Sequence, residues 1–520
     1  MRNSIYSVSL DEALLAVGDH HRYQAALIVL SSGFAFSFGC TFSALRLCSE
    51  TPVAGRNQSH WPCEDTGGTW QFPGLYVVAG VLGLTLLAGF EACIGRRKAL
   101  TAISVLGLIS GFGSVFAPGR VLFQAVLPFK GLADVCGLVI STLYVVETTA
   151  AQYRNWFISV IALAVYLASI CTQFYWYFNP NYRLIQLISG LFYLFQLFFT
   201  MKLIESPRYL GAILGKYSKA RNSLLQISIF NHKPAFQDML EGEKVIGLQE
   251  IPEVSPNMNS NSSTKDSPGK LVYLRITKDV ISVSQGDILH AKRFNYWDLL
   301  QWKAGRCVLF TTIMVWTGVI LLNSALNDSE KEEKLQYCLL QWGADCLFLL
   351  LTACHINYTG RLGSSIVYLT LAGLGAGLYH LLTVFHCSGS GLCAFLQVGE
   401  VVLVHVSRLF AKAEVYVLAV YSLEIVPTVL RFLAISVFLS LSALLWLTSL
   451  LFAASLGSTT LPISASLVLF VSLLSCFLPD TTLEELPDYL PEDLEEMQKP
   501  TELSQIEVAA PGSPRAHTSQ

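Results

Sequence analysis

Charge is what this chain has least of. Only 14% of its 520 residues are Asp, Glu, Lys or Arg, against about 25% in soluble domains. With 53% hydrophobic residues and a mean hydropathy of +0.50, an ordinary soluble globular protein is excluded and a membrane protein is indicated. The first 23 residues, "MRNSIYSVSLDEALLAVGDHHRY", hold no apolar core. A cleavable signal is therefore not expected, and the first span acts as the insertion signal. The thirteen cysteines form no CxxC pair and no Cys/His group with zinc spacing, so no metal site is expected. The chain also lacks a GxxxxGK phosphate loop and any Ser/His/Asp constellation. Neither ATP-driven transport, nor an enzyme, nor a bound cofactor is expected. No basic stripe interleaved with aromatics points to nucleic acid. The partners expected are a lipid bilayer and a small organic ion.

What the chain has instead is apolar runs of membrane-crossing length. A bilayer core needs about 20 apolar residues as helix. Twelve runs qualify as candidates, at 24–45, 74–91, 99–117, 121–146, 156–178, 184–204, 304–324, 336–355, 363–384, 394–423, 432–451 and 459–478. They predict an all-α membrane protein of twelve transmembrane helices. Residues 24–204 form one six-helix bundle and 304–478 a second. Residues 1–23 lead in, 46–73 form a short glycosylated external loop, 205–303 link the halves, and 479–520 form an acidic tail. The linker contains "SPNMNSNSSTKDSPGK", which is unlikely to pack, and it and the tail are expected to be disordered in part or whole. "GKYSKARNSLLQI" at its start reads as a short amphipathic helix on the membrane surface.

Orientation follows from the Lys/Arg bias. The stretch 208–306 holds fourteen Lys/Arg against nine Asp/Glu, and "GRRK" at 95–98, Arg154, Arg361 and Arg431 fall on the same side. Both termini are thereby expected in the cytoplasm, with the protein multi-pass in the plasma membrane. External loops keep Arg46, Arg56, Arg120, Arg183, Lys331 and Lys334. The sequons at Asn57 and Asn327 then face outward as glycan sites, and the one at Asn357 faces inward. The loop cysteines Cys48 with Cys63, and Cys387 with Cys393, also face outward, where disulfides form.

The two bundles are copies. "YVVETTAAQYR" (144–154) and "YSLEIVPTVLR" (421–431) share the spacing Tyr, Glu three residues on, Arg seven further. "EACIGRRK" after span two is echoed by "NYTGRLG" after span eight. Two such halves, related by an axis along the membrane normal, are a transporter architecture with its site at midplane between them. Glu91, Gly95, Arg96, Arg97, Glu147, Arg154, Gly360, Arg361, Glu424 and Arg431 are the expected gating residues. Acid and base there are expected to pair while the inner end is closed and to part when it opens. Juxtamembrane charges that only set topology are the plainer alternative.

These residues resemble those of the major facilitator superfamily, and within it the organic cation, anion and carnitine transporter family (solute carrier family 22-like), from about residue 10 to 498. "VGDHHRYQ" looks like its pre-helix signature. "GRRK" resembles the end of the loop after span two. "ESPRYL" with "GKYSKAR" is similar to the run after span six, "LEIVPTVLR" to the element closing span ten, and "LPDTTLEELP" to the exit from span twelve. Departures mark a divergent or orphan member. The family's loop aspartates are replaced by Ala92, beside Glu91, and by Asn357; the span-four arginine falls at Leu127, with Lys130 near; and the span-eleven aspartate of cation carriers is Ala443.

Ionisable residues inside spans are costly and face a cavity or a partner. Lys130 and Asp134 sit at i and i+4 on span four and can pair. On span ten, His405, Arg408, Lys412 and Tyr416 fall within an arc of about 80°. Asp345 on span eight can neutralise Arg408 or Lys412. Tyr166 and Trp316 are the deeper aromatics. All nine are candidate substrate contacts, and the excess base favours an organic anion or zwitterion over a cation. Two alternatives stay open: a salt-bridge network that only holds the halves together, and a transporter-shaped receptor or scaffold with little or no transport. Glu414 points away from the stripe and is expected only to pack.

Overall fold

The structure is a computed structural model that describes residues 13–15, 17, 22–50, 71–179, 181–214, 216–233, 296–301, 303–328, 335–384, 391–456 and 459–481. Each of the twelve apolar runs is a helix. The first half holds α1 (Arg22–Glu50), α2 (Gln71–Ile94), α3 (Arg96–Phe116), α4 (Arg120–Thr148), α5 (Ala151–Phe178) and α6 (Tyr182–Lys202). A π-helical turn (Tyr209–Ile213), α7 (Tyr217–Phe230) and α8 (Tyr296–Gln301) belong to the linker. The second half holds α9 (Lys303–Asp328), α10 (Leu335–Thr359), α11 (Arg361–Val384), α12 (Gly391–Ile425), α13 (Thr428–Leu456) and α14 (Thr460–Ser475). Among the described residues, nine of these helices are long and apolar enough to cross a membrane, and α14 is a shorter apolar helix. The other two, α10 and α12, carry the in-span charges Asp345, Glu400, Arg408, Lys412 and Glu414.

The two halves pack alike. In the first, α1 lies against α4, α5 and α6, while α3 lies against α4 and α6. In the second, α9 lies against α12, α13 and α14, while α11 lies against α12 and α14. The halves meet along two seams, α2 with α13 and α5 with α10. Large apolar side chains such as Leu86 (67% exposed) and Leu473 (69%) point outward, which suits hydrocarbon rather than water. Serines fill the inside, among them Ser31, Ser37, Ser104, Ser407 and Ser436. Small residues of this kind let helices approach closely, and their hydroxyls bond to backbone within the bundle.

One expected boundary is corrected. The external loop set at 46–73 starts later, because α1 continues to Glu50. Nothing between Leu45 and Glu50 breaks a helix, and the first proline is Pro52. Arg46 therefore belongs to α1. Cys48, also on α1, is disulfide-bonded. Asn57, Cys63 and Cys387 lie outside the described residues, as do the side chains of Glu91, Asn327 and Cys393.

Candidate functional site

Two turns set the inner end, the one the Lys/Arg bias assigns to the cytoplasm. Gly95 and Gly360 join α2 to α3 and α10 to α11, with φ of 88° and 81°. A side chain in that left-handed region costs about 1–2 kcal/mol, which explains glycine at both. Each glycine puts an arginine at the first position of the next helix, and each arginine turns inward. Arg96 donates to Glu147 through Nε (3.2 and 3.3 Å) and Nη2 (2.7 Å). Arg361 donates to Glu424 through Nε (3.0 Å) and Nη2 (3.1 Å). Both arginines are fully buried.

The repeat runs deeper than the sequence spacing. Arg154 Nε donates to the Thr149 carbonyl and Arg431 Nε to the Val426 carbonyl, each five residues back. The tyrosine that opens each copy bonds to the segment leaving its half: Tyr144 to the Ile204 carbonyl, Tyr421 to the Pro479 carbonyl at 3.0 Å. Two residues beyond each carbonyl, a hydroxyl reaches the glutamate. Ser206 bonds to Glu147 and Thr481 Oγ1 donates to Glu424 Oε2 at 3.1 Å. Sequence reasoning missed Ser206, Thr481 and the two tyrosine roles, although "ESPRYL" and "LPDTTL" carry them at matched places.

Glu147 and Glu424 each pair with an arginine at the start of a neighbouring helix. Their hydrogen-bonded pairs lie within one half each. The reason is reach: Arg96 and Arg361 begin the helices beside α4 and α12. Neutral contacts cross between the halves. Asn155 Nδ2 donates to the Ala353 carbonyl (2.6 Å) and to Asn357 Oδ1 (3.1 Å). Tyr416 Oη donates to the Asn155 carbonyl (2.9 Å) and Oδ1 (2.5 Å). The Arg96 guanidinium also lies over the Phe432 ring, 5.6 Å from its centre, and Arg431 acts electrostatically on Glu147. Tyr296 on α8 bridges the Thr85 carbonyl and Ser436 Oγ. Asn357 thus contributes to the seam. Near these contacts, outside the spans, burial pushes the Glu205 carboxyl up, partly offset by the Arg97 backbone N–H and by Arg96. Replacing Tyr416 with Phe is expected to weaken inner closure by about 1 kcal/mol. Spin-label distances between the inner ends of α5 and α10 should gain a longer component; an unchanged distribution rules this role out.

Tyr416 accordingly belongs to this seam and not to the substrate stripe. Three more expected substrate contacts are placed elsewhere. Lys130 and Asp134 are fully buried inside the first half and pair at 2.8 Å. Lys130 also donates to Ser37 and Ser189, while Tyr76 and Tyr193 donate to Asp134. Four helices meet on this pair, and neither residue reaches a cavity. Truncating one partner of such a pair leaves a stranded charge and costs about 3–5 kcal/mol. Asp134→Ala should therefore lose most folded protein in a detergent melting assay, and wild-type melting would show the pair to be dispensable. Trp316 is 7% exposed and donates to Ser422 at 3.1 Å, within the core of the second half.

The remaining candidates converge. Lys412, its side chain 24% exposed, pairs with Asp345 across α12 and α10. Arg408, one turn away, and Arg46 from α1 both act electrostatically on Lys412. His405 and Tyr166, the latter from α5, stand in the field of Asp345. Helices α1 and α5 of the first half thus meet α10 and α12 of the second. Arg46 and Arg408 thus lie within electrostatic range of Lys412, which pairs with Asp345. Arg408 and Lys412 fall near the middle of α12, whose 35 residues span roughly 50 Å. The sequence reading missed Arg46 because it sits beyond the expected end of span one. Among the described residues, no group of His, Cys, Asp and Glu could hold a metal ion.

Comparisons with known proteins agree on the fold. The family model "Sugar (and other) transporter" matches residues 26–246. No curated protein matches the chain in sequence. The proton:xylose symporter XylE bound to 6-bromo-6-deoxy-D-glucose superimposes with a TM-score of 0.60 at 18% identity, covering 91% of this chain and 99% of its own. XylE from E. coli in its inward-open conformation gives 0.53 at 18% identity, covering 89% and 99%. The human organic anion transporter TETRAN gives 0.55 at 15% identity, covering 87% and 100%. The chain has the major facilitator fold of twelve helices.

Proposed function

We propose that this protein moves a small organic anion, or a zwitterion presenting an anionic group, across the plasma membrane by alternating access. The observation that carries the reading is the gathering of Arg46 and Arg408 within electrostatic range of the part-exposed Lys412, beside Asp345. Fixed cations in a low-dielectric site attract an anion strongly and repel a cation. They also fit poorly with a neutral sugar, which offers no charge to offset their desolvation. The match to a sugar-type transporter model and the likeness to transporters of this fold support transport as the activity. The closed Asn155–Asn357 and Tyr416–Asn155 contacts support a state sealed toward the cytoplasm, with both termini on that side and Asn57 and Asn327 outside as glycan sites.

The test is uptake into proteoliposomes from a panel of radiolabelled benzoate, glutarate, glycine betaine, tetraethylammonium and D-xylose. Saturable uptake of a carboxylate or of the betaine is expected, without uptake of tetraethylammonium or xylose. Uptake of the cation or the sugar alone would overturn the substrate class. No flux in any arm would favour the receptor or scaffold reading.

A further inference from the structure

Glu414 is an in-span carboxylate that neither the site nor the gate uses. It lies on α12, away from the face of Arg408 and Lys412, and is fully buried. Ser365 on α11 donates to its Oε1 at 2.6 Å. Its Oε2 has no hydrogen-bond partner, and no cation acts on it among the described residues. This contrasts with Glu147, Glu424, Asp134 and Asp345, each of which faces an arginine or lysine. An ionised carboxylate buried without a counter-charge costs many kcal/mol, so such a group persists as the neutral acid.

A run of hydrogen-bonded groups leads from Tyr368, near this carboxyl, to the inner end. Tyr368, one turn along α11 from Ser365, is within electrostatic reach of Glu414. Its hydroxyl meets His355 Nδ1 of α10 at 2.9 Å. The same nitrogen lies 3.4 Å from both Thr359 Oγ1 and Ser364 Oγ, which are 2.6 Å apart. Thr359 is exposed and precedes the Gly360 turn. The other titratable groups on packed elements are committed or distant. Asp345 of α10 is bound to Lys412, Arg361 of α11 to Glu424, and Tyr166 of α5 faces Asp345. Arg154 of α5 and Arg431 of α13 sit at the inner end. Between Cys307 and Asp328, α9 carries no Asp, Glu, Lys, Arg, His, Cys or Tyr.

We propose that Glu414 is a proton-binding site, holding one proton while the inner end is closed and releasing it toward the cytoplasm through Tyr368 and His355 as that end opens. The step is a transfer along hydroxyls. As the inner end opens and brings Glu414 within hydrogen-bonding reach of Tyr368, the O–H bond of Glu414 breaks and its proton passes to the Tyr368 oxygen, whose own proton forms an N–H bond at His355 Nδ1. Glu414 is left as carboxylate, and His355 hands the proton on to water past Thr359. The conformational cycle then carries a proton as well as its substrate; only this coupling to flux rests on the transport reading.

The experiment uses the full chain in phosphatidylcholine nanodiscs without substrate, read by infrared difference spectroscopy between acidic and alkaline buffer. Wild type should show a protonated-carboxyl stretch that disappears at alkaline pH. Glu414→Gln should lack that band, and His355→Gln should keep it but exchange its proton with deuterium oxide about tenfold more slowly. If Glu414→Gln does not fold, Glu414→Asp serves instead and should move the band and its midpoint. A band that survives Glu414→Gln with the wild-type pH response, or stays unmoved in Glu414→Asp, overturns the proposal. Because no substrate is present, a protein that fails to transport still answers this test. In vesicles that do take up anion, uptake should respond to a pH gradient in wild type and lose that response in Glu414→Gln; a retained response overturns the coupling.

Discussion

Arg408→Ala combined with Lys412→Ala is expected to abolish anion uptake, a loss of at least about a hundredfold, while surface expression and melting stay near wild type. Two charges contribute to the same bound group, and a charged contact in a desolvated site is worth about 2–5 kcal/mol. Two such losses exceed what raised substrate concentration can restore. Folding is spared because Lys412 is 24% exposed and has one partner, Asp345, unlike the sealed Lys130–Asp134 pair. The double variant also frees Asp345 inside the site. Adding Asp345→Asn removes that charge and should not recover uptake. Saturable uptake with unchanged KM and maximal rate in the double variant would remove these residues from the site.

Arg361→Ala is expected to destabilise the fold by about 3–5 kcal/mol. It leaves Glu424, to which Thr481 still donates, without the Arg361 charge in a place 5% exposed. Arg361→Lys should recover little, because a point charge cannot reproduce the two-pronged contact through Nε and Nη2. Removing both partners, Arg361→Met with Glu424→Gln, should recover much of the loss. The matched change Arg96→Ala should act alike, with a further loss because Arg96 also covers Tyr209 and Phe432. Thermal unfolding in detergent, followed by the emission of tryptophans such as Trp316, measures all four. Equal melting of Arg361→Ala and wild type would show the pair to be ornamental.

The twelve helices were legible because apolar runs near 20 residues have few alternatives in lipid. The Glu and Arg of the repeat were legible because their spacing survives in both halves. What escaped depended on distance in space. Asn155 looks like any polar residue after Arg154, yet it faces Asn357 some two hundred positions away. Ser206 and Thr481 look like loop residues until the chain folds them back onto Glu147 and Glu424. The 80° arc on α12 grouped His405, Arg408, Lys412 and Tyr416 as one face, but an arc says nothing about depth. At Tyr416 the same face has already left the charged cluster and entered the seam. Lys130 and Asp134 were legible as a pair, but their burial against α1, α2 and α6 was not.

The covalent tether at Cys48 gives Arg46 a property the other two cations lack. Arg46 stands two residues before a disulfide, near the last turn of α1. Helix ends fray, and a side chain on a frayed turn spends conformational entropy each time a ligand is held. A tethered last turn has surrendered much of that freedom during folding, before any ligand arrives. The outermost charge of the site is therefore preorganised by redox chemistry outside the membrane. Mild reduction, which leaves the buried network of the halves intact, is a route to loosening substrate capture without touching the residues that perform it.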